Sequence, residues 1–249
     1  MLSQNGSPPG SRVAAVVLAG GSGSRMGGDR NKGYLPLGGG TAVGLSLVTM
    51  AGLPGLRRLV LVVRADDLEL AKRTVESELA DPAVPVELVR GGHSRHASEE
   101  RALRHLAPAI ENDELDQVLI HDSARPLCSP ALVAELVRVA VEHGGAVPGL
   151  PVDDLAVLDP DGRLAALPAH HVRVQTPQVF AAGPLLSAYE RAAEAGFEGT
   201  DTSASVERFS SVRIRYVPGE ERNFKITYPK DLYIANRLVL NQADSSRQG

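Results

Sequence analysis

The chain has no tryptophan, one cysteine, four phenylalanines and five tyrosines in 249 residues. A lone Cys128 excludes an internal disulfide and any cysteine-built metal site. It sits in Pro126-Leu127-Cys128-Ser129 and reads as a small packing residue. So few aromatics leave little material for stacking platforms on single-stranded nucleic acid. Positive charge is not in excess either. The formal net charge is −4, which gives no basic footprint for nucleic-acid binding. A polyanionic ligand must therefore be held by a few local Arg and Lys residues. No apolar run approaches the length of a membrane span. Residues 1–12 hold Ser, Gly, Pro and Asn without the apolar stretch of a signal peptide. Residues 1–12 and 241–249 are expected to be flexible tails, and the expected compartment is the cytosol, with neither membrane nor nucleic acid as partner.

Glycine, by contrast, is present where it carries information. The run Leu18-Ala19-Gly20-Gly21-Ser22-Gly23-Ser24-Arg25-Met26-Gly27 follows an apolar segment, residues 13–18, and precedes Lys32. A buried strand that breaks into glycines presents consecutive backbone N–H groups, which form an anion cradle. Arg25 and Lys32 add two positive charges beside it. Two familiar phosphate loops fail on counting. A Walker A loop needs Gly, four residues and then Gly-Lys-Ser/Thr, but Arg25 stands where the second glycine should follow Gly20. The dinucleotide fingerprint needs a third glycine where the chain has Met26. The ligand that remains is a polyphosphate, with an ordinary Gly-rich turn as the bland alternative.

Apolar runs at 13–18, 59–63 and 118–120, with a weaker one at 84–89, read as strands buried on both faces of a parallel sheet. Helical patterns at 42–50, 67–79 and 98–106 alternate with them. Another helix starts at Ser129-Pro130 and stops at Gly144-Gly145. The alternation predicts an α/β fold, a doubly wound and mostly parallel Rossmann-like sheet in a single domain over residues 13–240. Prolines and the turn signal Asp159-Pro160-Asp161-Gly162 then interrupt short apolar pieces, which predicts a projecting β-hairpin arm at about 150–174. A helix at 184–195, a strand at 213–217 and a helix at 229–240 complete the pattern.

Ligands of such sheets sit at the carboxyl ends of the strands. The motif His121-Asp122-Ser123-Ala124-Arg125-Pro126 ends a strand there, so Asp122 is the candidate Mg²⁺ ligand; a turn or capping Asp is the alternative. A second small-residue loop, Gly91-Gly92-His93-Ser94-Arg95-His96-Ala97-Ser98, offers backbone groups and Ser98 to a base or sugar. Thr176-Pro177-Gln178-Val179-Phe180, Thr200-Asp201 and Asn223-Phe224-Lys225-Ile226-Thr227 follow in order.

Together these motifs resemble the family of 2-C-methyl-D-erythritol 4-phosphate and ribitol-5-phosphate cytidylyltransferases, from about residue 13 to 240. The resemblance implies transfer of CMP from CTP to a polyol phosphate, with Mg²⁺ as cofactor and a homodimer formed through the arm. It implies nucleotide binding by Ala19, Gly20, Gly21, Ser22, Gly23, Gly92, His93 and Ser98, and catalysis by Arg25, Lys32 and Lys225. Asp122 would engage the metal, and Arg125, Thr200 and Asp201 would face the acceptor. Such chemistry needs in-line positioning and charge stabilisation, with no covalent nucleophile.

Departures from the family pattern are specific. Asn31-Lys32-Gly33-Tyr34 stands where Pro-Lys-Gln-Tyr is usual, which predicts a softer frame for the lysine. His93 replaces an Asp, while Leu155 and Pro168 occupy the arm positions of a threonine and an arginine that serve the neighbouring subunit's acceptor site. Methylerythritol phosphate is the leading acceptor. Ribitol 5-phosphate or another polyol phosphate is the runner-up, and a non-catalytic nucleotide-binding paralogue is the reading from another class.

Overall fold

A computed structural model describes residues 10–21, 31–165 and 170–247. Ser22, Gly23 and Arg25 of the Gly-rich loop and Pro168 of the arm lie outside the described residues. The order of elements is β1 (Val13–Leu18), β2 (Pro36–Leu37), β3 (Gly40–Thr41), α1 (Ala42–Ala51), β4 (Leu56–Val63), α2 (Leu68–Glu78), β5 (Val86–Arg90), α3 (Arg95–Glu111), β6 (Gln117–Asp122) and α4 (Pro130–His143). There follow β7 (Gly144–Val152), β8 (Val157–Leu158), β9 (Leu164–Ala165), β10 (His171–Val174), β11 (Gln178–Ala181), α5 (Ala182–Glu194), α6 (Thr202–Phe209), β12 (Arg213–Pro218) and α7 (Pro229–Arg247).

The main sheet runs β10-β7-β11-β6-β1-β4-β5, with β12 paired to β7. Strands β6, β1, β4 and β5 are mutually parallel, whereas β11 is antiparallel to both its neighbours. All six residues of β1 are buried. Because side chains alternate along a strand, Val13, Ala15 and Val17 pack in one apolar layer with residues of α1 and α4. Ala14, Val16 and Leu18 pack in the other, with residues of α3 and α5. A helical layer on each face is what continuous apolar strands require.

Several boundaries differ from the sequence expectation. Helix α3 begins at Arg95, because Ser94 caps it by accepting from the Ala97 N–H at 3.1 Å. Helix α6 has no counterpart in the sequence pattern. Asp201 caps it, accepting from the Ala204 N–H at 3.0 Å. Arg12, expected within the first tail, is tied down, since its backbone N–H donates to the Asp116 carboxylate at 2.8 Å. The closing helix continues to Arg247, so 241–247 is helix and not tail. The arm is a hairpin of β7 and β10, with β8 and β9 paired to each other beyond it.

Candidate active site

Parallel register brings three strand ends together. Leu18 of β1 pairs with Asp122 of β6 and with Val62 of β4. The chain leaving β1 is tied down where Ala19 N–H donates to the Val62 carbonyl at 2.8 Å. Gly91 N–H donates to the Val63 carbonyl at 2.8 Å, which sets the loop after β5 beside it. That loop folds tightly onto the first turn of α3. A Cβ on Gly92 would lie 2.4 Å from the Ala97 Cβ, so only glycine fits. Ser98 Oγ accepts from the Gly92 N–H at 3.1 Å and donates to the Ser94 carbonyl at 2.8 Å. Its hydroxyl fastens the loop. A Cβ on Gly20 would stand 3.6 Å from the same oxygen, so the two glycine loops are neighbours.

Asp122 is the charged centre of this end of the sheet. Its Oδ1 accepts from Arg95 Nε at 3.0 Å and its Oδ2 from Lys225 Nζ at 2.7 Å. The Asp122 N–H donates to the Thr176 hydroxyl at 3.0 Å. Burial pushes the carboxyl up, but Arg95, Lys225 and Arg125 overcome that and hold it well below the usual carboxylate range. Burial acts against the Arg95 charge as well, yet Asp122 and Glu99 raise its pKa above the ordinary arginine value. One Arg95 donor, Nη2, is buried with no partner among the described residues. Among the described residues no group of three or more His, Cys, Asp or Glu side chains could hold a metal unaided. An alternating string of charges with a spare donor, beside the chain leaving β1 and the loop after β5, is suited to a polyphosphate whose charge changes during reaction.

A family model described as 2-C-methyl-D-erythritol 4-phosphate cytidylyltransferase matches residues 13–241. The chain belongs to that family. It is 38% identical over 238 residues to the 2-C-methyl-D-erythritol 4-phosphate cytidylyltransferase of Thermobifida fusca, covering 92% of this chain and 93% of that protein. Identity to the enzyme of the same name from Solibacter usitatus is 35%, over 94% and 98% of the two chains. Its structure resembles that of 4-diphosphocytidyl-2C-methyl-D-erythritol synthase from Anaerococcus prevotii, with a TM-score of 0.79, 27% identity and coverage of 92% and 96%. The cytidylyltransferase structure from Thermus thermophilus aligns with a TM-score of 0.67, 28% identity and coverage of 92% and 98%.

In this nucleotidyltransferase the remaining family motifs act largely as struts. Thr176 holds Asp122, and Asn223 Nδ2 donates to the Thr176 carbonyl at 2.9 Å, which fixes the segment carrying Lys225. Gln178 Nε2 donates to Asp201 Oδ2 at 3.0 Å. The Asp201 carboxylate is thus occupied by its helix cap and by Gln178. Of the pair expected at the acceptor, only exposed Thr200 is uncommitted in this way. Arg125 Nη1 donates to the Asn223 carbonyl at 2.8 Å and Nη2 to the Val174 carbonyl at 3.4 Å, while Nε is buried with no partner among the described residues. The His93 side chain is exposed and pairs with Glu198 at 2.9 Å. Lys32 opens a short 3-10 turn, Lys32–Tyr34. The frame around it is not softened by Asn31, which is buried and donates to both the Ala19 carbonyl and Asp67. Its Oδ1 accepts from the Gly33 N–H at 3.1 Å.

Arg95 was missed as a functional candidate because the helix was expected to begin at 98. Reading Ser94 as the cap makes Arg95 the first helical residue, with Glu99 one turn on. That spacing signals an ion pair.

His121, wholly buried next to Asp122, supplies a pH test. Its Nδ1 faces the Thr176 hydroxyl at 3.2 Å and its Nε2 faces the Arg125 carbonyl at 3.1 Å. The hydroxyl accepts from Asp122 and so donates its own proton to Nδ1. Nε2–H donates to the carbonyl, and the ring is neutral. Burial lowers its pKa from 6.5 to about 4. Between those values the unfolded chain binds the extra proton, so stability rises with pH and is lost as pH falls through the window. The contribution is roughly 3 kcal/mol across the whole window. Urea unfolding at about pH 4.5 and about pH 6.5 should show a steeper rise for wild type than for His121→Gln. Equal slopes would exclude His121 as the source.

Proposed function

We propose that this cytidylyltransferase transfers CMP from CTP to 2-C-methyl-D-erythritol 4-phosphate and releases pyrophosphate. A phosphate oxygen of the acceptor, ionised at neutral pH, attacks the α-phosphorus of CTP. The new P–O bond forms as the bond to the β-phosphate oxygen breaks, and no general base is needed. Lys225, with Arg25 and Lys32, stabilises charge at the α-phosphate. The backbone around Ala19, Gly20, Gly21, Ser22 and Gly23 cradles the phosphates, and the loop of Gly92, His93 and Ser98 meets the base. Arg125 and Thr200 face the acceptor. The observation that carries this reading is the convergence of Arg95 and Lys225 on the buried Asp122 between the two glycine loops.

Mg²⁺ suits this donor set as a cation carried on the triphosphate, because a single carboxylate plus phosphate oxygens and water is its ordinary shell. Asp122 would hold it, and bound there it supplies neutralisation of the phosphate charge. The arm supports a homodimer in the cytosol. Leu155, Val157, Leu158 and Leu164 are exposed on it, and strands of two residues each do not stand alone. Apolar Leu155 also favours a second reading in which another polyol phosphate, such as ribitol 5-phosphate, is the preferred acceptor.

The test is pyrophosphate release from CTP against a panel of polyol phosphates. Turnover is expected with methylerythritol phosphate, and with CTP over ATP and GTP, since short glycine loops leave room for a pyrimidine and hinder a purine. Release with no acceptor on the panel, or equal efficiency with GTP, would defeat the reading.

A further inference from the structure

Glu99 is wholly buried within α3, yet none of the reaction's steps uses it. Three donors surround its carboxylate. Arg95 Nη1 donates at 2.7 Å, the Tyr189 hydroxyl of α5 donates at 2.7 Å, and the Thr202 hydroxyl of α6 makes a short bond. A buried carboxylate is unfavourable even when paired, and an apolar residue of similar volume commonly serves stability as well or better. The question is what the charge does for Arg95. That guanidinium divides its edges, with Nη1 on Glu99, Nε on Asp122 and Nη2 buried with no partner among the described residues. An arginine facing one carboxylate alone prefers a two-bond fork that occupies both oxygens. Such a fork on Asp122 would use the spare donor and compete with Lys225 for Oδ2.

We propose that Glu99 is a positioning residue of the nucleotide site: it draws one edge of Arg95 away from Asp122, so that Lys225 keeps its carboxylate oxygen and Arg95 Nη2 remains a preset donor for an oxygen of the nucleoside triphosphate. The proposal rests on the reading that this end of the sheet receives CTP. Tyr189 and Thr202 reach the same carboxylate from two further helices and fix its orientation.

The experiment is calorimetric titration of CTP into the full-length protein, with steady-state kinetics alongside. Glu99→Gln should weaken CTP binding about tenfold, the loss of one charge-assisted hydrogen bond, and leave the KM for the acceptor unchanged. In an Arg95→Gln background the same change should cost no further CTP affinity. It should also restore part of the thermal stability lost when Glu99 is left unpaired, because the two residues act as one unit. Wild-type CTP affinity in Glu99→Gln, or losses that multiply in the double variant, would overturn the proposal. Should Glu99→Gln not fold, Thr202→Val removes a bond to the same carboxylate and keeps its charge. Weaker CTP binding there, with Thr202→Ser restoring it, supports the proposal, and wild-type affinity in Thr202→Val overturns it. Wild-type protein that binds CTP but does not use methylerythritol phosphate would defeat the acceptor reading alone and leave the role of Glu99 standing.

Discussion

Lys225→Ala is expected to lower kcat on the order of 10²–10³-fold while changing CTP affinity far less. The lysine reaches Asp122 Oδ2 at 2.7 Å and its side chain is about a third exposed, so its ammonium is fixed but accessible. A fixed charge costs no reorganisation when negative charge builds at the α-phosphate, which is why its loss falls on turnover. In the proposed site the ground-state triphosphate would keep the glycine loops and the other cations. Asp122 keeps Arg95 in the variant, so the site should remain folded. Single-turnover rates and calorimetric CTP binding separate the two effects. A variant with wild-type turnover would remove Lys225 from the mechanism, and one that lost CTP binding alone would make it a binding residue only.

Parts of this arrangement were legible in the amino-acid sequence because they depend on local pattern. Residues 13–18 are continuous and apolar, and they form a strand buried on both faces. Ser129, Pro130 and Gly144 bracket α4 as a cap, a first-turn proline and a left-handed stop, with Gly144 at φ 87°. Asp122 could be placed at a strand end on the same grounds. What could not be read was partnership across the chain. The Arg95–Asp122 and Lys225–Asp122 pairs span separations of 27 and 103 residues. Asp201 carries a local role that was equally hidden. Its carboxylate caps α6, Thr202–Phe209, by accepting from the Ala204 N–H and also takes a bond from Gln178, a role that the motif Thr200-Asp201 alone does not signal. Asn31 shows why a change of residue type is weak information without geometry. Its amide replaces the rigidity of a proline with bonds to the Ala19 carbonyl, Asp67 and the Gly33 N–H.

The acceptor half should behave differently from the nucleotide half. In a two-fold dimer each arm would approach the partner's Thr200, Arg125 and Lys225, and the family pattern there calls for a threonine and an arginine. This chain supplies Leu155, exposed and apolar, and Pro168. Proline has no charge to offer an acceptor phosphate. One charge-assisted hydrogen bond contributes roughly 1.5–3 kcal/mol, so the KM for methylerythritol phosphate should be about tenfold to a hundredfold higher than with the arginine in place. Restoring the pair as Leu155→Thr with Pro168→Arg should lower it by that factor and leave the KM for CTP unchanged. Arg173, His170, His171 and Arg163 are the arm residues whose chemistry could reduce the deficit, and the first two provide the test. Arg173 is exposed on β10, and His170, at φ 69°, precedes that strand. If they compensate, the Arg173→Ala, His170→Ala double variant raises the acceptor KM further. If they do not, another polyol phosphate should be the better substrate in direct competition. A low-micromolar KM for methylerythritol phosphate, unmoved by that double variant, would refute the expected deficit and exclude Arg173 and His170 as the groups that hold the acceptor phosphate.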